Sequence, residues 1–156
     1  MKMTLLAVGR GVPPAIQELV EEYRARLHHF VPTRIESVAE EKRDRGVSER
    51  QAMEREAVRL RARLTPGAWI VALDGAGRML SSVEWSRTLG SWLDASPAEI
   101  IFMIGGPDGL DPALKAAAHF TLSLGPMTYP HMLARVLILE QLYRAMTLLR
   151  GVPYHR

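Results

Sequence analysis

Trp69-Ile70-Val71-Ala72-Leu73 and Ile100-Ile101-Phe102-Met103-Ile104 are two uninterrupted apolar runs rich in β-branched residues. A strand with one wetted face alternates apolar and polar residues, whereas a continuous run this short belongs to a strand covered on both faces. Working outward, three further short apolar runs appear. Strands are expected over Met3–Gly9, Arg34–Ala39, Ala68–Asp74, Glu99–Gly106 and Phe120–Gly125. Between and after them lie helical patterns over Pro14–His29, Ser48–Leu64, Ser81–Asp94, Pro112–Ala118 and Pro130–Leu149. Ser48 followed by Gln51 is a capping-box start. Pro130 suits a first helical turn, where a missing N–H costs nothing. Strand alternating with helix predicts an α/β fold built on a mostly parallel sheet. Glu40–Val47, charged and containing Gly46, reads as a mobile loop, and no repeat, linker or low-complexity tract interrupts the pattern.

The 156 residues are one domain's worth, and 47% apolar with 24% charged residues excludes a disordered or fibrous chain. The absence of cysteine excludes a disulfide framework, Cys-ligated zinc, iron–sulfur clusters and a thiol nucleophile. No stretch approaches the roughly 20 apolar residues of a membrane span. The opening Met1–Val8 is too short for a signal peptide. These features together predict a soluble cytoplasmic protein.

The net charge of +3 is unevenly placed. Lys42, Arg43, Arg45, Arg50, Arg55, Arg59, Arg61 and Arg63 face only Asp44, Glu49, Glu54 and Glu56 within the same stretch, a local excess of +4. Two readings are open: a phosphate-binding surface, or a solvated helix laced with ion pairs. The last helix carries Met132, Leu133, Val136, Leu137, Ile138, Leu139, Leu142, Met146, Leu148 and Leu149 on more than one face. It is either a central core helix or one that buries part of its surface against a second copy of the chain.

In an open α/β sheet ligands bind beyond the carboxyl ends of the strands. Three such ends are rich in glycine or proline: Leu73-Asp74-Gly75-Ala76-Gly77-Arg78, Ile104-Gly105-Gly106-Pro107-Asp108-Gly109 and Leu124-Gly125-Pro126-Met127-Thr128-Tyr129-Pro130-His131. They are either ordinary turns or the walls of a shared pocket. Standard signatures do not fit. There is no P-loop, and Gly9-Arg10-Gly11 and Gly75-Ala76-Gly77 both lack the third glycine of a dinucleotide fingerprint. No metal constellation and no Gly-x-Ser-x-Gly elbow is present. Polar residues instead collect late in the chain. His131 and Arg135, four apart, share a helix face, Tyr143 and Arg144 follow, and the chain ends Tyr154-His155-Arg156. Histidine, tyrosine and arginine together can bind phosphate, stack on a base and move a proton. The plainer alternative is a polar helix start and a frayed end.

The sequence resembles the ribosomal RNA large subunit methyltransferase H family of the SPOUT class. The resemblance rests on Ile104-Gly105-Gly106-Pro107-Asp108-Gly109, on Leu124–His131, on Arg135-Val136 with Leu139-Glu140-Gln141-Leu142-Tyr143-Arg144-Ala145, and on Pro153-Tyr154-His155-Arg156. Leu6-Ala7-Val8-Gly9 and Val71-Ala72-Leu73-Asp74 extend it over the whole chain. It implies a single α/β domain over residues 1–156, with a C-terminal trefoil knot from about residue 70 onward, and a homodimer. It implies S-adenosyl-L-methionine as methyl donor, bound without metal at Leu73, Gly105, Leu124, Gly125, Pro126, Met127, Thr128 and Tyr129. It implies methylation of N3 of a pseudouridine in the 23S rRNA of the assembled 70S ribosome. Many family members carry serine where this chain has Gly125, so only a backbone contact survives there.

For the chemistry, the resemblance directs attention to His131, Arg135, Tyr143, Tyr154, His155 and Arg156. N3 must lose its proton to attack the methyl group; His131, Tyr143 and His155 are the candidate bases, with His155 able to reach across a dimer. Arg135 and Arg156 suit a phosphate or the developing imide anion. Competing expectations are a knotted methyltransferase acting on tRNA or a ribose hydroxyl, and a ribosome-binding module without catalysis. A nicotinamide- or nucleotide-dependent oxidoreductase is disfavoured by the missing fingerprints.

Overall fold

Helices cover both faces of one five-stranded sheet, and the chain alternates strictly between the two kinds of element. The structure is a computed structural model that describes residues 1–43 and 46–155; Asp44 and Arg45 of the charged loop and the terminal Arg156 lie outside the described residues. In chain order the elements are β1 (Lys2–Val8), α1 (Pro14–His28), β2 (Thr33–Val38), α2 (Glu49–Arg61), β3 (Trp69–Met79), α3 (Ser82–Asp94), β4 (Glu99–Ile104), α4 (Pro112–Ala116), β5 (Phe120–Ser123) and α5 (His131–Arg150). The strands lie in the order β2-β1-β4-β3-β5 and every pair is parallel.

The continuous apolar runs are explained by two cores. On one face Met3, Leu5 and Ala7 of β1 and Ile100, Phe102 and Ile104 of β4 pack against α1, α3 and α5. On the other, Leu6, Val8, Ile101 and Met103 pack against Ala57 and Leu60 of α2 and Leu114 of α4. The two-residue period of the strand sends alternate side chains into different cores, so a doubly covered strand has no polar side.

Helix starts follow the local chemistry. Ser48 caps α2 through the Gln51 amide while the Gln51 side chain returns to the Ser48 amide, and Ser81 and Glu84 repeat the arrangement on α3. Pro130 precedes the first turn of α5 as its cap rather than sitting inside it. In α5, Ile138, Leu139, Leu142, Ala145 and Met146 are buried in the first core, whereas Leu133, Leu137 and Leu149 are exposed.

The sequence reading ends the third strand at Asp74. In the structure it continues to Met79, and both Leu73 and Arg78 pair with Leu122 of β5, so the residues between them bulge out of the ladder. Glycine permits this. A Cβ on Gly77 would stand 2.7 Å from the Leu122 carbonyl carbon and the Thr121 carbonyl oxygen. The expected fourth and fifth strands are shorter than predicted. β4 stops at Ile104, before a turn closed by the Gly109 amide on the Gly106 carbonyl (3.0 Å). β5 stops at Ser123, whose hydroxyl accepts from the Gly125 amide at 3.2 Å.

Gly77→Ala is therefore expected to lower stability by about 1–3 kcal/mol through the clash of its Cβ with the β5 backbone. Gly75→Ala, whose Cβ would meet nothing within 4 Å, is expected to be near neutral. Urea midpoints of the two variants check this.

Candidate active site

Because β4, β3 and β5 are neighbours in the sheet, the three glycine-rich strand ends abut. They enclose one cavity of about 670 Å³, within the range of small-molecule sites, about 300–1,000 Å³. Leu73, Asp74 and Gly75 come from β3, and Gly105 to Gly109 from the turn after β4. Leu124, Gly125, Pro126, Met127, Thr128 and Tyr129 come from the segment after β5, and His131 from the first turn of α5. All eight positions expected to face a cofactor thus border the same space.

The cavity is built largely from backbone and apolar groups. Ile104, Leu122 and Leu124 join Leu73 in its apolar lining. At Gly105 a Cβ would lie 2.3 Å from the Gly109 carbonyl carbon, so this turn can close only on glycine. Gly125 has φ +125°, and a Cβ there would project into open space. Among the described residues the only carboxylates in the wall are Asp74 and Asp108. Lys115 Nζ bonds Asp74 at 2.8 Å and Arg43 pairs with Asp108. Burial raises the Asp74 pKa, but the Lys115 ammonium and the Ala76 amide outweigh it and hold the carboxyl below its ordinary value. Neither aspartate was singled out from the sequence; their position at strand ends is the signal that could have found them.

His131 and Arg135 are brought together as their spacing predicts. Arg135 is only 2% exposed. Its terminal nitrogens donate to the Val8 carbonyl (2.7 Å), the Gly9 carbonyl (2.6 Å) and the Ser37 hydroxyl (3.3 Å). Gly9, at φ +96°, lets the chain turn so that both carbonyls face the same guanidinium; a Cβ there would sit 3.2 Å from His131 Nε2. Burial pushes the Arg135 pKa down from its ordinary value. Burial, and then the charge on Arg135, also lower that of His131, against a pull from Glu40. Both effects favour the neutral imidazole of His131, the form able to accept a proton.

Tyr143, Tyr154 and His155 form a second group elsewhere. The Tyr143 and Tyr154 rings meet edge to face with centroids 4.8 Å apart. Tyr154 donates to Glu140 at 3.1 Å, and His155 Nδ1 lies 3.4 Å from Arg144. Burial, with the Tyr23 hydroxyl and the Glu140 carboxylate, pushes the Tyr154 phenol well above its ordinary value. In this arrangement Tyr154 donates and does not act as a base. Glu140 is nine residues beyond His131, roughly 13 Å along a helix. One chain therefore does not gather all the expected catalytic residues at the cavity.

The basic stretch resolves toward ion pairing. Arg43 pairs with Asp108, Arg50 with Glu54, Arg55 and Arg59 with Glu41, Arg61 with Asp111 and Arg63 with Glu36. Arg55, Arg59 and Arg61 tie α2 to the neighbouring loops.

A family model described as "Predicted SPOUT methyltransferase" matches residues 1–155. The chain belongs to the SPOUT methyltransferase family. It is 45% identical to a protein of Rhodospirillum centenum named ribosomal RNA large subunit methyltransferase H, over 100% of this chain and 99% of that one. A protein of the same name from Stenotrophomonas maltophilia is 40% identical over the same shares. Among solved structures, that of a "probable methylase family protein" from Haemophilus influenzae superposes with a TM-score of 0.54 at 11% identity, covering 99% of this chain and 70% of that one, a likeness of fold. SPOUT methyltransferases use S-adenosylmethionine, and the cavity fits such a group. Its apolar lining suits an adenine ring, its exposed backbone offers hydrogen bonds, and among the described residues it places no lysine or arginine in its wall against a sulfonium. Among the described residues no group of His, Asp and Glu could hold a metal, and no helix is long and apolar enough to cross a membrane.

Arg135→Met is expected to leave the Val8 and Gly9 carbonyls bare, at about 1–3 kcal/mol for each buried acceptor. The urea unfolding midpoint measures the loss.

Proposed function

We propose that this chain transfers a methyl group from S-adenosylmethionine to N3 of a pseudouridine in 23S rRNA, within the assembled 70S ribosome and in the cytoplasm. The observation that carries the proposal is the end-to-end similarity to proteins named ribosomal RNA large subunit methyltransferase H, joined to a cavity bordered by all eight expected cofactor positions. Leu73, Gly105 and the run Leu124–Tyr129 would hold the donor, whose sulfonium supplies an already electrophilic methyl group. The chain's own work is then alignment and one proton.

His131 is the base best placed for that proton. It borders the cavity, is half-buried, and is kept neutral by burial and by Arg135. Arg135 lies one helical turn away and favours negative charge on the base as N3–H ionises. Tyr143, far along α5, and Tyr154 and His155, in the tail packed beside it, lie away from the same cavity, which favours a homodimer in which each tail serves the other chain's cavity. Arg156 belongs to that tail. Exposed Leu133, Leu137 and Leu149 on α5, and Met127 and Tyr129 beside the cavity, suit such a partner. The trefoil knot over about residues 70–156 is part of the same proposal; it rests on the family resemblance, and it suits a chain that passes from the β5 edge to Arg135 beside Val8 and Gly9.

Labelled S-adenosylmethionine is expected to deliver its methyl group to intact ribosomes as 3-methylpseudouridine, identified by mass. Label confined to tRNA would overturn the substrate, and label nowhere would overturn the enzyme. His131→Gln is expected to lower kcat by about 10²–10⁴-fold, the usual worth of a general base. Protonated His131 is inactive, so wild-type kcat rises with pH through a value below the ordinary histidine pKa of about 6.5. That acid limb is expected to vanish in the variant. The double variant Tyr154→Ala/His155→Ala is expected to abolish transfer while calorimetry shows S-adenosylmethionine binding nearly intact.

A further inference from the structure

A second cavity, of about 580 Å³, opens beside the first. It lies at the carboxyl ends of β1 and β2, against the Gln17–Arg24 stretch of α1, and Arg135 stands in its wall. Arg10 and Arg24 line it too, with Gln17 and Ser37 as neutral donors and Glu21 as its only carboxylate. Glu21 is taken up by Arg24, which bonds both of its oxygens at 2.8 and 2.9 Å. Arg10 is exposed and, among the described residues, makes no ion pair.

The charge on Arg135 is the anomaly. A buried guanidinium is ordinarily matched by a carboxylate, because an uncompensated charge in a low-dielectric site is costly. Here every acceptor is neutral: two backbone carbonyls and a serine hydroxyl. The Nε hydrogen is buried and finds no acceptor. Glu40 stands near Gly9 but makes no ion pair with Arg135. The cavity is thus strongly cationic, concave and rich in planar donors. That chemistry recognises a phosphate, which arginines grip with paired N–H groups.

We propose that this cavity holds one phosphate group of the RNA strand, adjacent to the nucleotide presented at the cofactor cavity. His131 and Arg135, one turn apart on α5, form the partition between the two spaces. A strand whose base enters one has its backbone beside the other. Gly9-Arg10-Gly11, which fits no dinucleotide fingerprint, acquires a role: it carries Arg10 to the rim. The assignment rests on the RNA-substrate reading above and adds to it a place for the backbone.

Arg10 is the residue to change, since it is exposed and outside the proposed catalytic groups. In the full-length protein Arg10→Ala is expected to raise KM for ribosomes about tenfold, with kcat within about twofold and S-adenosylmethionine affinity unchanged. The log–log dependence of ribosome affinity on salt is expected to become shallower by about 1, the signature of one lost phosphate contact. Arg10→Lys is expected to recover part of the loss. Unchanged KM and salt slope in Arg10→Ala would overturn the proposal. If the wild type methylates no ribosomal RNA, the substrate reading has failed on its own account. Thermal melting in inorganic phosphate against chloride at equal ionic strength then decides the pocket. Stabilisation lost in Arg10→Ala/Arg24→Ala would keep a phosphate site but overturn its RNA source; equal behaviour of variant and wild type would overturn both.

Discussion

The guanidinium of Arg135 joins the last helix to the first strand. It reaches the Val8 and Gly9 carbonyls and the Ser37 hydroxyl, so residues distant in sequence meet at one buried charge. The second cavity takes a wall from this junction, and the first takes one from His131, a turn earlier on the same helix. The placement of His131 depends on it, because a histidine one turn earlier on the same helix can go nowhere else. The left-handed backbone of Gly9 makes the junction possible. A side chain there would press on the histidine, and the two carbonyls would no longer converge.

The cavity at the ends of β3, β4 and β5 follows a different logic. Its wall is loop backbone and aliphatic surface, with two carboxylates already committed to cations. Such a site recognises shape and hydrogen-bonding edges more than charge, which suits a ligand that carries its own positive sulfur. The neighbouring cavity is the reverse, crowded with arginine and poor in acid. On the proposed reading a methyl donor and a polyanionic strand have separate places, divided by a single helical turn.

Much of the architecture was legible beforehand, for physical reasons. Runs such as Ile100–Ile104 have no polar side and so had to lie between two layers. Ser48 and Ser81 cap helices with the chemistry their side chains offer. The eight positions expected to meet a cofactor came from resemblance, and the strand-end rule explains why they border one cavity. What escaped was set by tertiary contact. The continuation of β3 beyond Asp74 depends on Gly77 fitting against β5, which no local pattern reveals. The neutralisation of the basic stretch depends on Glu36, Glu41, Asp108 and Asp111, all outside it. Arg10 was seen only as part of a failed motif; its value appears once β1 and α1 bring it beside Arg24 and Arg135.

The twenty residues of α5 carry His131 at one end and the partners of the tail, Glu140, Tyr143 and Arg144, towards the other. With no proline or glycine between them, this rod behaves as a ruler. A single residue inserted after Arg135 would advance everything beyond it by about 1.5 Å and swing it by about 100°. The tail would then leave on another side of the molecule, while both cavities kept their walls. The length of this helix is accordingly as much a part of the site as any side chain on it.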